Sequence, residues 1–258
     1  MERKYGCLES PKDLRDYRPY GLVSSTCLPT EYSLSNTTIK DQGTVNSCVA
    51  HALSSMLEKK TNINFSTAWI YGYRPDDYYQ GEGMYPREAL KTLLNKGAVK
   101  NSDFNFNIEM TNAKKIVDND IDKLENLASS YKIDGYARLS SNDEIKTWLY
   151  TKNTPVPIAI ATDNLVLDDN NIIQIPKIYP SSGHAIIVIG WNETGFIIQN
   201  SWGESWGDKG LAILPYDYEI REAWGVTYNT EPTKNIAKPK FNLIRTIIQK
   251  LIGLLGGN

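Results

Sequence analysis

Cys48 is followed three residues later by His51, and the chain's other histidine, His184, lies 136 residues beyond the cysteine and 16 before Asn200. A thiol attacks a carbonyl carbon only as the thiolate, so its surroundings decide whether it can react. Asn46 and Ser47 offer a helix cap, and Val49, Ala52, Leu53, Met56 and Leu57 repeat at helical spacing, which puts Cys48 in the first turn of a helix with a buried face. The positive end of the helix dipole favours the anion there. With an imidazolium nearby, a cysteine can fall from about 8.5 to roughly 3.5 to 7.5. An isolated cysteine in such a place is more often a packing residue, and what reverses that reading is the string around it. His51 lies on the same side of the helix and competes with His184 for the thiol. The Cys48 and His51 pair is also half of a metal site, but zinc takes four protein ligands, or three and a water. Cys7 and Cys27 stand at no motif spacing, so no metal or other cofactor is expected.

The string from Asp41 reads Asp-Gln-Gly-Thr-Val-Asn-Ser-Cys-Val-Ala-His-Ala, with Gln42 six residues before Cys48. It resembles the active-site segment of the papain family. Asn200-Ser-Trp-Gly, continuing Glu-Ser-Trp-Gly-Asp-Lys-Gly to Gly210, is similar to that family's C-terminal signature, and Gly183-His184-Ala185 falls at the matching distance before it. The resemblance covers roughly residues 28–229. It implies a cysteine peptidase of a bacterial or phage short form without a long propeptide, in which Cys48 is the nucleophile, His184 carries the proton and Asn200 orients the imidazole. Gln42 with the Cys48 backbone N–H would donate to the oxyanion, and Trp202 would cover the Asn200 and His184 pair. His51 is then expected to be a satisfied structural histidine.

Three residues depart from the family pattern. Val45 stands where many members carry a disulfide cysteine, and Val49 and His51 replace aromatics beside the nucleophile. The resemblance also implies a substrate wall over residues 81–86, with Gly83 and Tyr85 as its contacts. Ala159 and Ala185 would flank the pocket for the second side chain before the scissile bond, and the default expectation for that pocket is an apolar side chain. The segment from Ser10 to Tyr17 looks like the N-terminal element of bacterial members; it reads as part of the body, the other reading being a minimal cap over the cleft.

The elements that must hold these residues fall into two halves. Helices are expected at 48–57, 67–79, 86–95 with Gly97 as the stop, and 142–150, where Ser141 and Glu144 make a capping box. Short β-rich runs follow at 156–161, 184–191, 196–199 and 211–214. This order implies an α+β protein: a papain-like two-lobe fold with an N-terminal helical lobe, whose central helix carries Cys48, against a C-terminal antiparallel sheet or barrel lobe. The expected divisions are a leader over 1–27, a peptidase domain over 28–231 and a basic linker with an amphipathic helix over 232–258.

Residues 1–231 hold 23 basic and 30 acidic side chains, a net charge of −7, while the remainder carries +5. An acidic body lacks the concentrated basic surface that phosphate binding needs, so a nucleic-acid partner is not expected; a peptide or protein substrate is. The tail repeats apolar residues at helical spacing over 241–255 around Arg245 and Lys250, a pattern that suits folding back on the acidic body or docking on an acidic protein groove, and also an anionic membrane surface. No secretory h-region and no run of 18 apolar residues occurs. Three cysteines fit reduced thiols better than a disulfide framework, a Cys7 to Cys27 bridge being the alternative, so a cytoplasmic or virion-associated location is expected. Two other functions share the sequence features: a silent binding scaffold on the same fold, and a transferase or deamidase using the same acyl-enzyme.

Overall fold

A computed structural model of the chain describes residues 5–19, 27–73, 83–105 and 117–228. The apolar tail segment 241–255, the linker before it and the second half of the expected 67–79 helix lie outside the described residues.

The chain opens with a short strand β1 (Tyr32–Ser33) and three helices, α1 (Cys48–Thr61), α2 (Thr67–Gly72) and α3 (Pro86–Asn95). After α4 (Ile121–Ala128) come β2 (Gly135–Leu139), α5 (Asn142–Lys152) and five further strands. These are β3 (Val156–Ala161), β4 (Gly183–Trp191), β5 (Gly195–Gln199), β6 (Leu211–Pro215) and β7 (Ile220–Thr227). They join one antiparallel sheet in the order β2-β7-β3-β4-β5-β6, with β1 added to β4. Helices first and an antiparallel sheet second make an α+β protein of the two-lobe kind.

Every residue of β3 and β4 is buried, because these strands, His184 apart, lack polar side chains along their whole length rather than at alternate positions. Such strands need cover on both faces. α1 lies against β4 and β3, with α2 and α3 packed on it, and α5 packs on β4, β7 and β3. At the α5 contact Trp148 comes so close to β7 that a Cβ on Gly225 would meet the indole ring at 2.5 Å. Only a residue without a side chain admits that approach.

Local chemistry sets the helix limits. Ser141 Oγ accepts from the Glu144 backbone N–H at 3.1 Å, and the Glu144 carboxylate accepts from the Ser140 N–H at 2.6 Å, so the expected capping box forms with its return bond one residue upstream. Pro86 opens α3, and Gly97, at φ +95°, turns the chain beyond its end. α1 stops at Asn62 in the left-handed region, with Lys59 and Lys60 against the negative end of its dipole. α2 is shorter than its pattern predicts: Tyr73 leaves helical geometry while its N–H still bonds the Trp69 carbonyl. Three elements were not expected from the pattern, α4, β2 and β7. β2 and β7 carry Arg138, Arg221 and Glu222, which blur the alternation, and Arg138 resolves its charge by lying over the Trp224 ring at 5.5 Å.

Candidate active site

Cys48 is the first residue of α1 and is fully buried. The helix points it at β4, where the Ala185 backbone N–H reaches the thiol. Burial pushes the Cys48 thiol up from its ordinary range, and the N–H groups of Ala185, Gly6 and Val49 oppose that rise. His184, also without solvent exposure, sits second in β4, paired with Ile160 of β3. Its Nε2 is 2.8 Å from Asn200 Oδ1 at the end of β5. Asn200 Oδ1 also accepts from the Ser201 N–H at 2.8 Å, which fixes which way the amide faces: the oxygen toward the ring, the ring nitrogen as donor. Trp202 lies over His184 with centroids 4.8 Å apart and planes tilted by 31°, and Trp206 meets Trp202 edge-on at 5.6 Å. The imidazole is thereby held between a rigid strand and an aromatic wall, out of water.

Gln42 is buried on the loop before α1, tied by its own N–H to the Ser201 carbonyl at 2.9 Å. Ser201 Oγ donates to Gln42 Oε1 at 2.7 Å, and Gln42 Nε2 donates to the Val45 carbonyl at 2.9 Å. These bonds orient the side-chain amide, so its NH2 end is turned back toward the loop that precedes Cys48.

His51 stands apart from this group in its bonding. Its Nδ1 donates to the Ser47 carbonyl one helical turn back at 2.9 Å, and burial holds its pKa down at about 4. The sign of the consequence follows: the unfolded imidazole takes a proton near 6.5 and the folded one only near 4. Stability is whole above the first value and drains away as pH falls through the second, by roughly 3 kcal/mol at the limit. His51→Phe should therefore flatten the difference in urea midpoint between pH 7 and pH 4. Equal acid losses in the variant and the parent would assign the acid sensitivity elsewhere.

The leader enters the site directly. Its residues 5–10 run between the two lobes, where Met84 N–H donates to the Gly6 carbonyl at 2.8 Å and Leu8 N–H to the Met84 carbonyl at 2.9 Å, a parallel bridge centred on Cys7. On the opposite wall Cys7 N–H donates to the Gly183 carbonyl at 3.1 Å. Tyr5 meets both His184 and Trp202 edge-on at 5.9 Å, and the Gly6 N–H points at the Cys48 thiol. Ser10 spans the cleft: its N–H donates to the Glu222 carboxylate of β7, and its Oγ accepts from the Arg87 N–H of α3 at 3.2 Å. The covering residues lie mostly ahead of the Ser10 to Tyr17 segment, of which Ser10 takes part. All three cysteines are free, Cys27 exposed and the other two buried.

The expected wall residues Gly83 and Tyr85 flank Met84, and it is Met84 whose N–H and C=O both face the cleft. Gly83 serves by lacking a side chain, since a Cβ there would meet Leu8 at 2.8 Å. Ala159 pairs with Ala185 on one side and with the buried Glu222 on the other. Gly6, Cys7 and Glu222 are not singled out as site residues by the sequence, and Ser10 and Met84 only as members of longer segments. Each acts through its backbone or through a strand partner that only the fold supplies.

The family model described as "Papain family cysteine protease" matches residues 29–223. Among curated proteins, a cysteine protease of Blomia tropicalis is 27% identical over 199 residues, covering 69% of this chain and 57% of that protein. A viral cathepsin of Heliothis zea nuclear polyhedrosis virus is 27% identical over 186 residues, covering 68% and 48%. The chain thus spans about half the length of these two relatives. Among solved structures, xylellain, a cysteine protease from Xylella fastidiosa, superimposes with a TM-score of 0.73 at 20% identity, covering 88% of this chain and 97% of that one. With the family model matching three separated motifs and most of the chain between them, this protein belongs to the papain family of cysteine proteases.

Proposed function

We propose that the chain is a peptidase that cleaves peptide bonds through a thioester on Cys48, and that its own residues 5–10 hold it latent. The observation that carries the first part is the 2.8 Å bond between His184 Nε2 and Asn200 Oδ1 under Trp202. That bond leaves Nδ1 as the nitrogen that exchanges a proton with the thiol. His184 takes the thiol proton, and the Cys48 sulfur attacks the scissile carbonyl carbon. The oxyanion is held by the Cys48 N–H and Gln42 Nε2, a contribution of about 2.7 to 4 kcal/mol per donor in comparable sites. His184 then returns its proton to the leaving amine as the C–N bond breaks. Water resolves the thioester by the reverse transfers, releasing the acid and restoring the thiol. Asn200 needs no charge for its part, because it only fixes the ring.

The second part rests on the covered thiol. With Gly6 over Cys48 and Tyr5 against His184, a substrate carbonyl has no approach to the sulfur while the leader is seated. Burial also keeps the thiol protonated in that state.

The test uses the full chain carrying Gly6→Val, whose new side chain cannot seat: a Cβ at Gly6 would meet the Asn46 carbonyl oxygen at 2.0 Å. Incubated with a thiol-reactive peptidyl epoxide, this variant should carry one adduct, located by mass spectrometry on Cys48. A folded variant that takes up no reagent, or takes it up on Cys7 or Cys27 alone, would leave the silent scaffold as the better account.

A further inference from the structure

The apolar stretch 241–255 has no part in the site described so far. Its repeat gives one apolar side, which is stable only against another surface, and residues 232–258 carry +5 beside a body of −7. Where β7 delivers the chain limits which surface that can be. Thr227 ends β7 and is the partner of Gly135, the first residue of β2. β2 is an edge strand, so about 4.8 Å, the spacing of neighbouring strands, separates Thr227 from the strand that borders the outer side of the sheet.

On that side lies a cavity of about 620 Å³ walled by three elements. The leader contributes Pro11 and Tyr17, α3 contributes Lys91 and Leu94, and β2 contributes Gly135 and Tyr136. Residues 229–240 can reach at most roughly 40 Å, and 15 helical residues measure about 22 Å, so the connection allows the apolar stretch to lie here. The leader wall is tied down only by polar bonds: Asp16 pairs with Arg87 at 3.3 Å, and the Arg138 N–H donates to the Tyr17 carbonyl at 2.9 Å. Its large apolar side chains have little cover among the described residues. Tyr17 is 69% exposed, and Leu14, on the turn closed by the Asp16 N–H to the Asp13 carbonyl at 3.2 Å, is wholly exposed. The charged groups of the cavity pair among themselves, Asp13 with Arg15, Asp16 with Arg87 and Glu88 with Lys91, so the pull on a basic segment comes from the acidic body as a whole.

We propose that residues 241–255 of the same chain lie in this cavity and press the leader onto α3 and β2 from outside, a second clasp beyond residues 5–10. The apolar side covers Tyr17, Leu94 and Tyr136. A weak contact suffices, because a segment joined to its site through a short connection meets it at a millimolar effective concentration. The effect of the clasp on Cys48 rests on the latency reading above; the seat of the tail does not.

The test compares the full chain, the chain ended after Glu231, and a full chain carrying Leu14→Asp and Tyr17→Asp, two exposed positions outside the core. Amide hydrogen exchange over residues 11–18 should run about tenfold faster in the second and third than in the first, and alkylation of Cys48 by iodoacetamide should quicken by a similar factor. Joining the truncation to the double variant should add nothing, since both remove the same contact; additive effects would overturn the proposal. Light scattering should show the full chain as a monomer under the same conditions. Exchange over 11–18 that ignores the truncation overturns the seat. So does protection that appears only in a dimer or on vesicles of anionic lipid, which would give the tail to a second copy or to a membrane surface. Faster exchange with unchanged alkylation, in a protein whose Gly6→Val variant does react faster, overturns the clasp. An alkylation rate unmoved by Gly6→Val overturns the latency reading and the clasp with it, and the exchange over 11–18 still decides the seat.

Discussion

His184→Ala, measured in the Gly6→Val background, should lower kcat/KM on a small peptide by about 10^4-fold or more, whereas His51→Phe should stay within about threefold of its parent. The two imidazoles are the chain's whole supply, and both are buried, but their bonding separates them. His184 offers one nitrogen to Asn200 and turns its other edge toward the cleft, so removing it leaves the thiol without a base and the leaving amine without a proton. His51 spends its Nδ1 on the Ser47 carbonyl inside its own helix and is neutral down to about pH 4. A group that takes a proton only at that acidity is a poor carrier near neutrality. Burst amplitude is the cleaner readout, because it reports formation of the thioester apart from its hydrolysis. Loss of the burst in His51→Phe and its survival in His184→Ala would exchange the two roles.

The same background defines the second expectation. Alkylation of Cys48 by iodoacetamide near neutral pH should be about 10^2-fold faster in Gly6→Val than in the parent chain, while Cys27, exposed in both, should react alike. Three main-chain bonds and the two at Ser10 seat the leader, each worth roughly 1 kcal/mol net. Forcing a side chain into the Asn46 carbonyl removes several at once, and a shift of about 3 kcal/mol in the open population corresponds to that factor. Burial is also what raises the Cys48 thiol, so release should both uncover the sulfur and lower its pKa. The pH at which alkylation reaches half its plateau should move downward in the variant. An unchanged rate and midpoint would mean that the leader does not guard the nucleophile.

How far the sequence could be read follows from the kind of information each residue carries. Cys48, His184, Asn200 and Gln42 stand out because their motifs are local and because cysteine and histidine are scarce, and the structure gathers all four at the junction of α1, β4 and β5. α3 and β3 have the bounds their patterns predict, because Pro86, Gly97 and an unbroken apolar run punctuate them clearly. β7 is different. Its string Ile-Arg-Glu-Ala-Trp-Gly-Val-Thr is half polar, and nothing in it says that Glu222 will be buried; that comes from pairing with Ala159, 63 positions away. Met84 was passed over for the glycine and tyrosine beside it, since a residue that contributes only N–H and C=O leaves no mark in its side chain. A cap over the cleft was weighed for the leader but set second, for the same reason. Its hold on the cleft is made mostly of backbone.

That hold has a kinetic side, because residues 5–10 are joined to the body they cover. A tethered segment meets its site at an effective concentration in the millimolar range for a short flexible connection, whatever the dilution of the protein. The latency proposed above would not weaken when few molecules are present, and one molecule could not relieve it in another by competition at ordinary concentrations. The same peptide supplied free would have to reach that concentration to match it. A single cut between the leader and β1 would therefore do what no modest change in affinity can: it converts a standing local concentration into a bulk one, the fragment diffuses away, and activation runs in one direction.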